Sequence, residues 1–297
     1  MTALPGKARN MALNVASASP SLPAGAARAA RPSVVRLGLS RVAIELKVYF
    51  RNAEMMFFTF LLPILFLFIF ASVFSGDINA GPGVKVNFTN YFLPGIIASG
   101  VMSATFASLA ISIAIEQHEG MLKRLAGTPL PKASYFIGKL GLAVVVTLAQ
   151  TAIMLVAAIL LYGVELPAGP DRWAVFLSVL VLSAATGAVL GIAYTRLVPN
   201  AKSAPAIIQP PFLILQFISG VFFRYGEIPG WLQAIASIFP LKWMSLGFRY
   251  AFLPDTFGEF EYGADWGWER PILVLTAWLV AGFVLALLFF RWDRQRE

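Results

Sequence analysis

A chain that does chemistry must hold groups that move protons, ligate a metal, attack a carbonyl or cradle a phosphate, and this sequence holds few. Among 297 residues there is no Cys and one His, His118. Disulfides, thiolate nucleophiles, Cys-ligated metals and multi-histidine metal sites are excluded. No G-x-x-x-x-G-K-[ST] loop occurs, so the chain carries no recognisable nucleotide site of its own. No Ser–His–Asp or paired-carboxylate arrangement stands at a plausible depth, and the lone His falls in a basic loop. The polar groups left to explain fall into three sets. One is EQHEGMLKRLAGTPLPKASYFIGK, residues 116–139, set between two apolar runs. Another is Ser99, Met102, Ser103 and Phe106 at helical spacing, with Gln209 and Gln216 seven residues apart farther on. The last is a Trp-rich segment, residues 224–270.

The elements that must position these groups follow from composition. The chain is 58% hydrophobic and 13% charged, with 25 Phe and a mean hydropathy of +0.75. So much apolar surface needs lipid as solvent. Six stretches are apolar on every side for about 20 residues, which predicts transmembrane helices rather than alternating barrel strands. They are Met56–Ser75, Tyr91–Ile115, Phe136–Leu161, Trp173–Tyr194, Ala204–Phe223 and Pro271–Phe290. With the N-terminus inside, 17 Lys and Arg fall in inner segments and 6 in outer ones. This bias places both termini in the cytoplasm. It also accounts for the net charge of +8 without nucleic acid. Residues 1–32, rich in Ala, Pro and Ser, read as a disordered cytoplasmic tail, and residues 33–295 as the six-span domain. Residues 34–52 repeat Val35, Leu39, Val42, Leu46 and Tyr49 at helical steps beside Arg36, Lys47 and Arg51. That pattern predicts an amphipathic helix at the inner leaflet, or a plain cytoplasmic extension of the first span.

With Lys139 counted to the inner segment and Arg196 at an inner end, the six spans hold no Asp, Glu, Lys or His. Transport coupled to protons or voltage usually needs such groups at membrane depth. Any directed work would therefore draw its energy from another polypeptide. In residues 116–134 the order Glu116, Glu119, Met121, Leu122, Lys123, Arg124, Leu125 favours a short helix despite Gly120, and Gly127, Thr128 and Pro129 end it. Such a helix would offer Leu122 and Leu125 with a basic rim, a handle by which a partner could push both attached spans. An ordinary solvated loop obeying the positive-inside rule explains the same composition.

Glu119-Gly120, Leu122, Leu125, Thr128-Pro129 and Gly138-Lys139 together resemble the cytoplasmic loop of the type-2 ABC transporter permease family. Ser219-Gly220, Pro229-Gly230-Trp231-Leu232 and Phe239-Pro240-Leu241-Lys242-Trp243 match that family's later pattern in order. The resemblance covers roughly residues 33–295 and is to permeases of the daunorubicin and multidrug-efflux type. It implies an all-α fold of six transmembrane helices with an amphipathic N-terminal connecting helix, and extracellular re-entrant helices before the last span. It also implies a coupling helix, Glu116 to Thr128, that docks on a separate ATPase subunit present in two copies. The residues carried over are Glu116, Glu119, Gly120, Leu122, Arg124, Leu125, Thr128 and Pro129. Met121 stands where a Thr is frequent and Lys123 near a position often acidic, which bears on which charges meet the partner.

The outer segment 224–270 reads as one or two re-entrant or interfacial helices broken at Pro240, with Pro229, Trp231, Pro240 and Trp243 as gate residues or simple interfacial anchors. Pro205, Pro210 and Pro211 predict a kink in the fifth span. By resemblance Ser99, Met102, Ser103, Phe106, Gln209, Phe212, Gln216 and Phe217 line a cavity between two permease subunits, a homodimer or paralogous pair. Helix-packing roles fit Ser and Gln as well. The leading expectation is a permease of an ATP-driven exporter in the cytoplasmic membrane. ATP and Mg would bind the partner subunit and none would bind this chain, and an amphipathic or lipid-like molecule would move outward. The alternative is an ATP-independent secondary transporter or channel, which inverted repeats would support.

Overall fold

Glycine and proline set where the helices of this chain stop. The computed structural model describes residues 33–74, 76–79, 85–258 and 267–290. The expected tail, residues 259–266 of the outer segment and the C-terminal stretch 291–297 lie outside the described residues. The described residues form α1 (Val34–Phe50), then α2 (residues 53–73) with a π turn at Phe57–Leu61. A short hairpin of β1 (Asp77–Asn79) and β2 (Lys85–Asn87) follows, then α3 (Phe88–His118) with a second π turn at Ser103–Ala107. Next come α4 (Met121–Ala126), α5 (Lys132–Tyr162) and α6 (Gly169–Tyr194). The chain continues with α7 (Ala204–Ile218), α8 (Gly230–Ile238), α9 (Pro240–Phe252) and α10 (Glu269–Phe289).

Local chemistry explains the boundaries. The Asn87 side chain accepts the Thr89 N–H at 2.8 Å and caps α3. Gly120, at φ 72°, takes the left-handed turn that separates α3 from α4, a conformation costly for a residue with a Cβ. Pro131 precedes α5 in extended backbone, and Phe239 does the same before Pro240.

Four helices among the described residues have the length and apolarity to cross a membrane: α3, α5, Gly169–Leu197 and α10. The first expected span falls on α2, residues 53–73, while the fifth is shorter than the sequence suggested. α7 has 15 residues and stops at Ile218, where Ser219 and Gly220 turn the chain. It runs through Pro210 and Pro211 as one helix. The fold is mostly helical, as the all-α expectation has it, with one small addition, the β1–β2 pair in which Ile78 stands opposite Val86.

α3 is the most enclosed of the long helices and α10 the least. α9 and α6 pack on α3, α10 lies along α6, and α1 lies along α5. The main core gathers Phe92, Met102, Phe106, Phe212, Phe248 and Leu275. α2 joins it through stacked rings, with Phe70 4.7 Å from Phe92 and 5.7 Å from Phe222. Aromatic pairs at these separations add to plain area burial.

The α1–α5 contact is a close seam lined by three glycines. A Cβ on Gly138 would stand 2.3 Å from Arg41 Cγ, one on Gly141 2.4 Å from Val42 Cγ2, and one on Gly38 2.5 Å from Ile137 Cγ2. The helices meet backbone to side chain because glycine leaves the space. α1 is also turned differently from the expected stripe. Gly38, Glu45 and Tyr49 face inward, while Val35 and Leu39 are 60% and 61% exposed. Gly138→Ala should therefore push α1 off α5 and cost about 1–3 kcal/mol, the usual range for overpacking. Thermal unfolding of the purified chain measures this, and an unchanged midpoint would show that the seam is looser than described.

Candidate functional site

Lys139, counted as a span edge from sequence, lies in the third turn of α5 with its side chain wholly buried. Its Nζ stands 2.9 Å from Glu45 Oε2 on α1 and 2.5 Å from Glu116 Oε1 on α3. It also donates to Ser112 Oγ at 2.9 Å. Arg41 pairs with the other Glu45 oxygen at 2.8 Å, and Tyr135 OH donates to Glu116 Oε2 at 2.7 Å. Two bases and two acids thus make a neutral cluster that ties α1, α3 and α5 together. A charge buried this deeply persists only when paired and hydrogen-bonded. The expectation that no Lys stands within a span is corrected here. A crevice of about 130 Å³ opens beside the cluster, bordered by Glu45, Tyr49, Asn52, Ser112, Glu116 and Val146.

Glu116, expected in the coupling loop, thus belongs to α3 and to this cluster. His118 closes the same helix, its Nε2 3.0 Å from the Val198 carbonyl, so it fastens α3 to the turn after α6 rather than sitting in a loop. Gly120 makes the turn, and α4 follows with only six residues. Leu122 is fully buried among Leu109, Ile113, Tyr135 and Ala143, with Leu125 packed against the same group. The expected apolar docking face is therefore the anchor of α4 into its own chain. The reason is spacing: the turn at Gly120 points Leu122 back at α3 and α5. Glu119, Met121, Lys123, Arg124, Thr128 and Pro129 are exposed instead. Thr128 Oγ1 donates to the Leu125 carbonyl at 2.7 Å, which tightens the end of α4.

The residues expected to line a pathway divide. Ser99 Oγ donates to Gln216 Oε1 at 2.6 Å and joins α3 to α7. Met102, Phe106 and Phe212 are buried in the main core, with Phe106 set edge-on to Tyr194 at 5.3 Å. Ser103, at the start of the α3 π turn, is partly buried. Gln209 and Phe217 are exposed, whereas Gln216 is buried, so the two Gln do not share one environment.

The outer segment forms two helices that break at Phe239-Pro240, as the sequence indicated. Trp231 on α8 is exposed and Pro240 is buried. Trp243 Nε1 donates to the Ser237 carbonyl at 2.8 Å, closing α8 onto α9. Arg249, also fully buried, was missed by the sequence reading. Its guanidinium lies 4.0 Å from the Tyr91 ring and donates to the Gly220 carbonyl, pinning α9 to α3 and to the turn after α7. Arg172 at the start of α6 donates to the carbonyls of Tyr250 and Leu253 and pairs with Asp255 at 2.7 Å. The signals available for these residues were a lysine within an apolar run and an arginine in an aromatic helix, both costly unless satisfied.

Comparison with known proteins agrees with this architecture. The model of a family described as ABC-2 type transporter matches residues 41–253. The chain is 24% identical over 196 residues to the Inner membrane transport permease YadH of Escherichia coli (strain K12), covering 64% of this chain and 74% of that protein. The YadH protein of Shigella flexneri matches equally. The Probable multidrug ABC transporter permease YbhR of Escherichia coli (strain K12) is 24% identical over 191 residues, covering 63% of this chain and 49% of that protein.

Two predictions follow from the geometry. Lys139→Met removes the base that meets both Glu45 and Glu116, leaves Arg41 beside two buried carboxylates, and should cost about 3 kcal/mol of stability. Adding Glu45→Gln and Glu116→Gln to it should recover part of that loss in thermal unfolding, and no recovery would refute electrostatic pairing as the cause. In α9, burial first and the nearby Arg270 charge second hold Lys242 down to about 8 from an ordinary 10.5. The Trp243 ring 3.7 Å from Nζ favours the charge but does not outweigh burial. The unfolded chain binds more protons between those values, so stability should rise with pH from about 8 to about 10.5. Lys242→Met should flatten that rise in unfolding midpoints taken across the window.

Proposed function

The chain belongs to the ABC-2 type transporter family, and on that premise we propose that it is the permease subunit of an ATP-driven exporter. Its membrane-length helices and its family make it a multi-pass protein of the plasma membrane. The family supplies the membrane subunit of an ABC transporter rather than its ATPase. Two permease copies, or this chain and a paralogue, pair with two ATPase subunits that bind ATP and Mg. The cargo is an amphipathic small molecule or lipid-like compound, carried outward.

The observation that carries this reading is α4. A six-residue helix held by a buried Leu122 and showing Met121, Lys123 and Arg124 outward is a rigid peg. A partner pressing on that peg moves α3 and α5 together, because Leu122 packs against both. The docking residues are thus Glu119, Met121, Lys123, Arg124, Thr128 and Pro129, with Gly120, Leu122 and Leu125 setting the peg's angle and Glu116 joining it to the charge cluster. Movement of α3 against α7 would act on the Ser99–Gln216 bond, where Met102, Ser103, Phe106, Gln209, Phe212 and Phe217 define the neighbourhood of the cargo path. On the outer side α8 and α9, with Pro229, Trp231, Pro240 and Trp243, form the re-entrant cap. An ATP-independent transporter gains one observation, the ionisable cluster at Lys139, since such groups carry coupling charge.

Mild-detergent purification should bring along a stoichiometric soluble protein bearing a G-x-x-x-x-G-K-[ST] loop. Lys123→Glu with Arg124→Glu should release that protein while leaving the permease's unfolding midpoint unchanged. Retention of the ATPase by this variant would remove α4 as the docking site. A permease that emerges alone and moves solute in liposomes without ATP would establish the alternative.

A further inference from the structure

We propose that a polar cavity at the end of the molecule that the charge bias turns outward binds a small dibasic zwitterion of the amino-acid type. The cavity measures about 510 Å³, within the range of small-molecule sites. Three walls enclose it: the β1–β2 pair with the start of α3, the loop from Glu165 to Ala168 ahead of α6, and the end of α9 with Leu253 and Pro254. Asn90 of α3 borders it nine residues from Ser99, about 14 Å of helix, so the site stands apart from the Ser99–Gln216 bond.

The walls are held in place by the fold itself. Val86 of β2 is buried with Tyr91, Leu246, Leu253 and Phe257, and strand alternation puts Lys85 and Asn87 on the other face. Arg172 joins the second wall to the third, since it donates to the Tyr250 and Leu253 carbonyls and pairs with Asp255. Its charge is therefore already met. Three charges on the lining are not: among the described residues Asp77, Lys85 and Glu165 have no ion partner. Two carboxylates and one ammonium leave one negative charge in excess. The occupant that answers all three carries two ammonium groups and one carboxylate. Asn87 and Asn90 supply amides for its remaining hydrogen bonds. A simple anion would meet the two carboxylates, and a simple diamine would leave Lys85 unanswered. No group of three acidic or imidazole donors converges among the described residues, so a metal ion fits less well.

The test is titration calorimetry on the full chain in neutral detergent, with L-lysine and two analogues that each lack one charge as probes. L-norleucine has no ε-ammonium, and 1,5-diaminopentane has no carboxylate. L-lysine should bind, and each analogue should bind roughly fivefold more weakly, the size of one accessible ion pair. Lys85→Met should weaken L-lysine by the same factor and leave 1,5-diaminopentane unchanged. Asp77→Asn combined with Glu165→Gln should weaken both. About 0.5 M NaCl should lower the affinity for L-lysine, because exposed charges are screened. Absence of L-lysine binding, equal affinity for 1,5-diaminopentane and L-lysine, or a Lys85→Met variant that loses both alike would each overturn the proposal. The comparison of the three probes on the unaltered chain stands even where a variant fails to fold. Neither ATPase nor cargo enters the measurement, so its outcome is separate from that of the transport reading.

Discussion

A lysine with no access to water must find its counter-charges within reach of its own side chain, and Lys139 imposes that demand on one whole end of the molecule. Glu45 and Glu116 answer it from helices 94 and 23 residues away in sequence. For the carboxylate of Glu45 to arrive, α1 must lie almost on the backbone of α5, which the glycine seam permits. The G-K pair at 138–139 is thus two halves of one device: the glycine admits the helix and the lysine holds it. Removing either half leaves the other without a purpose.

The opposite end solves the same problem with other chemistry. Arg249 and Arg172 rest on carbonyl dipoles and aromatic faces, at Gly220, Tyr91, Tyr250 and Leu253, with the exposed Asp255 carboxylate added at Arg172. A guanidinium has five donors in a fixed fork and can spread its charge over several such acceptors, whereas an ammonium is a point charge that favours carboxylates. Lys therefore serves where helices meet side by side with acids facing in. Arg serves where helix ends and turns converge and free carbonyls are plentiful. Between these two clamps the apolar core and the Ser99–Gln216 bond give α3 its enclosed position.

Sequence and structure agree where the signal is long and one-dimensional. α3, α5, α6 and α10 fall close to their expected spans because each is an apolar run of membrane length, and the Pro240 break was visible as proline chemistry. Agreement fails where hydropathy is blind to backbone geometry. Residues 204–223 are mostly apolar and uncharged, yet Gly220 takes a positive φ and the helix has already ended at Ile218. Val221 and Phe222 remain buried without being helical, so composition alone extends the span. Lys139 was assigned to a span edge because lysine usually stands there, and nothing local marks Glu45 as its partner. Leu122 was read as a docking residue because six residues hold too little periodicity to say which side faces in. The motif located the candidate site, and tertiary packing decided its polarity.

The brevity of α7 has a consequence for the medium around it. At about 1.5 Å per residue it rises roughly 22 Å, against a hydrocarbon slab of about 30 Å. Leu213, Ile214 and Phe217 are exposed along one flank, so a neighbour must cover a surface shorter than the slab is thick. Where lipid rather than a second permease subunit covers that flank, acyl chains beside it would have to compress or tilt, while those beside the 31-residue α5 would not. In that setting the elastic strain of the lipid would fall on the helix that holds Gln216 against Ser99.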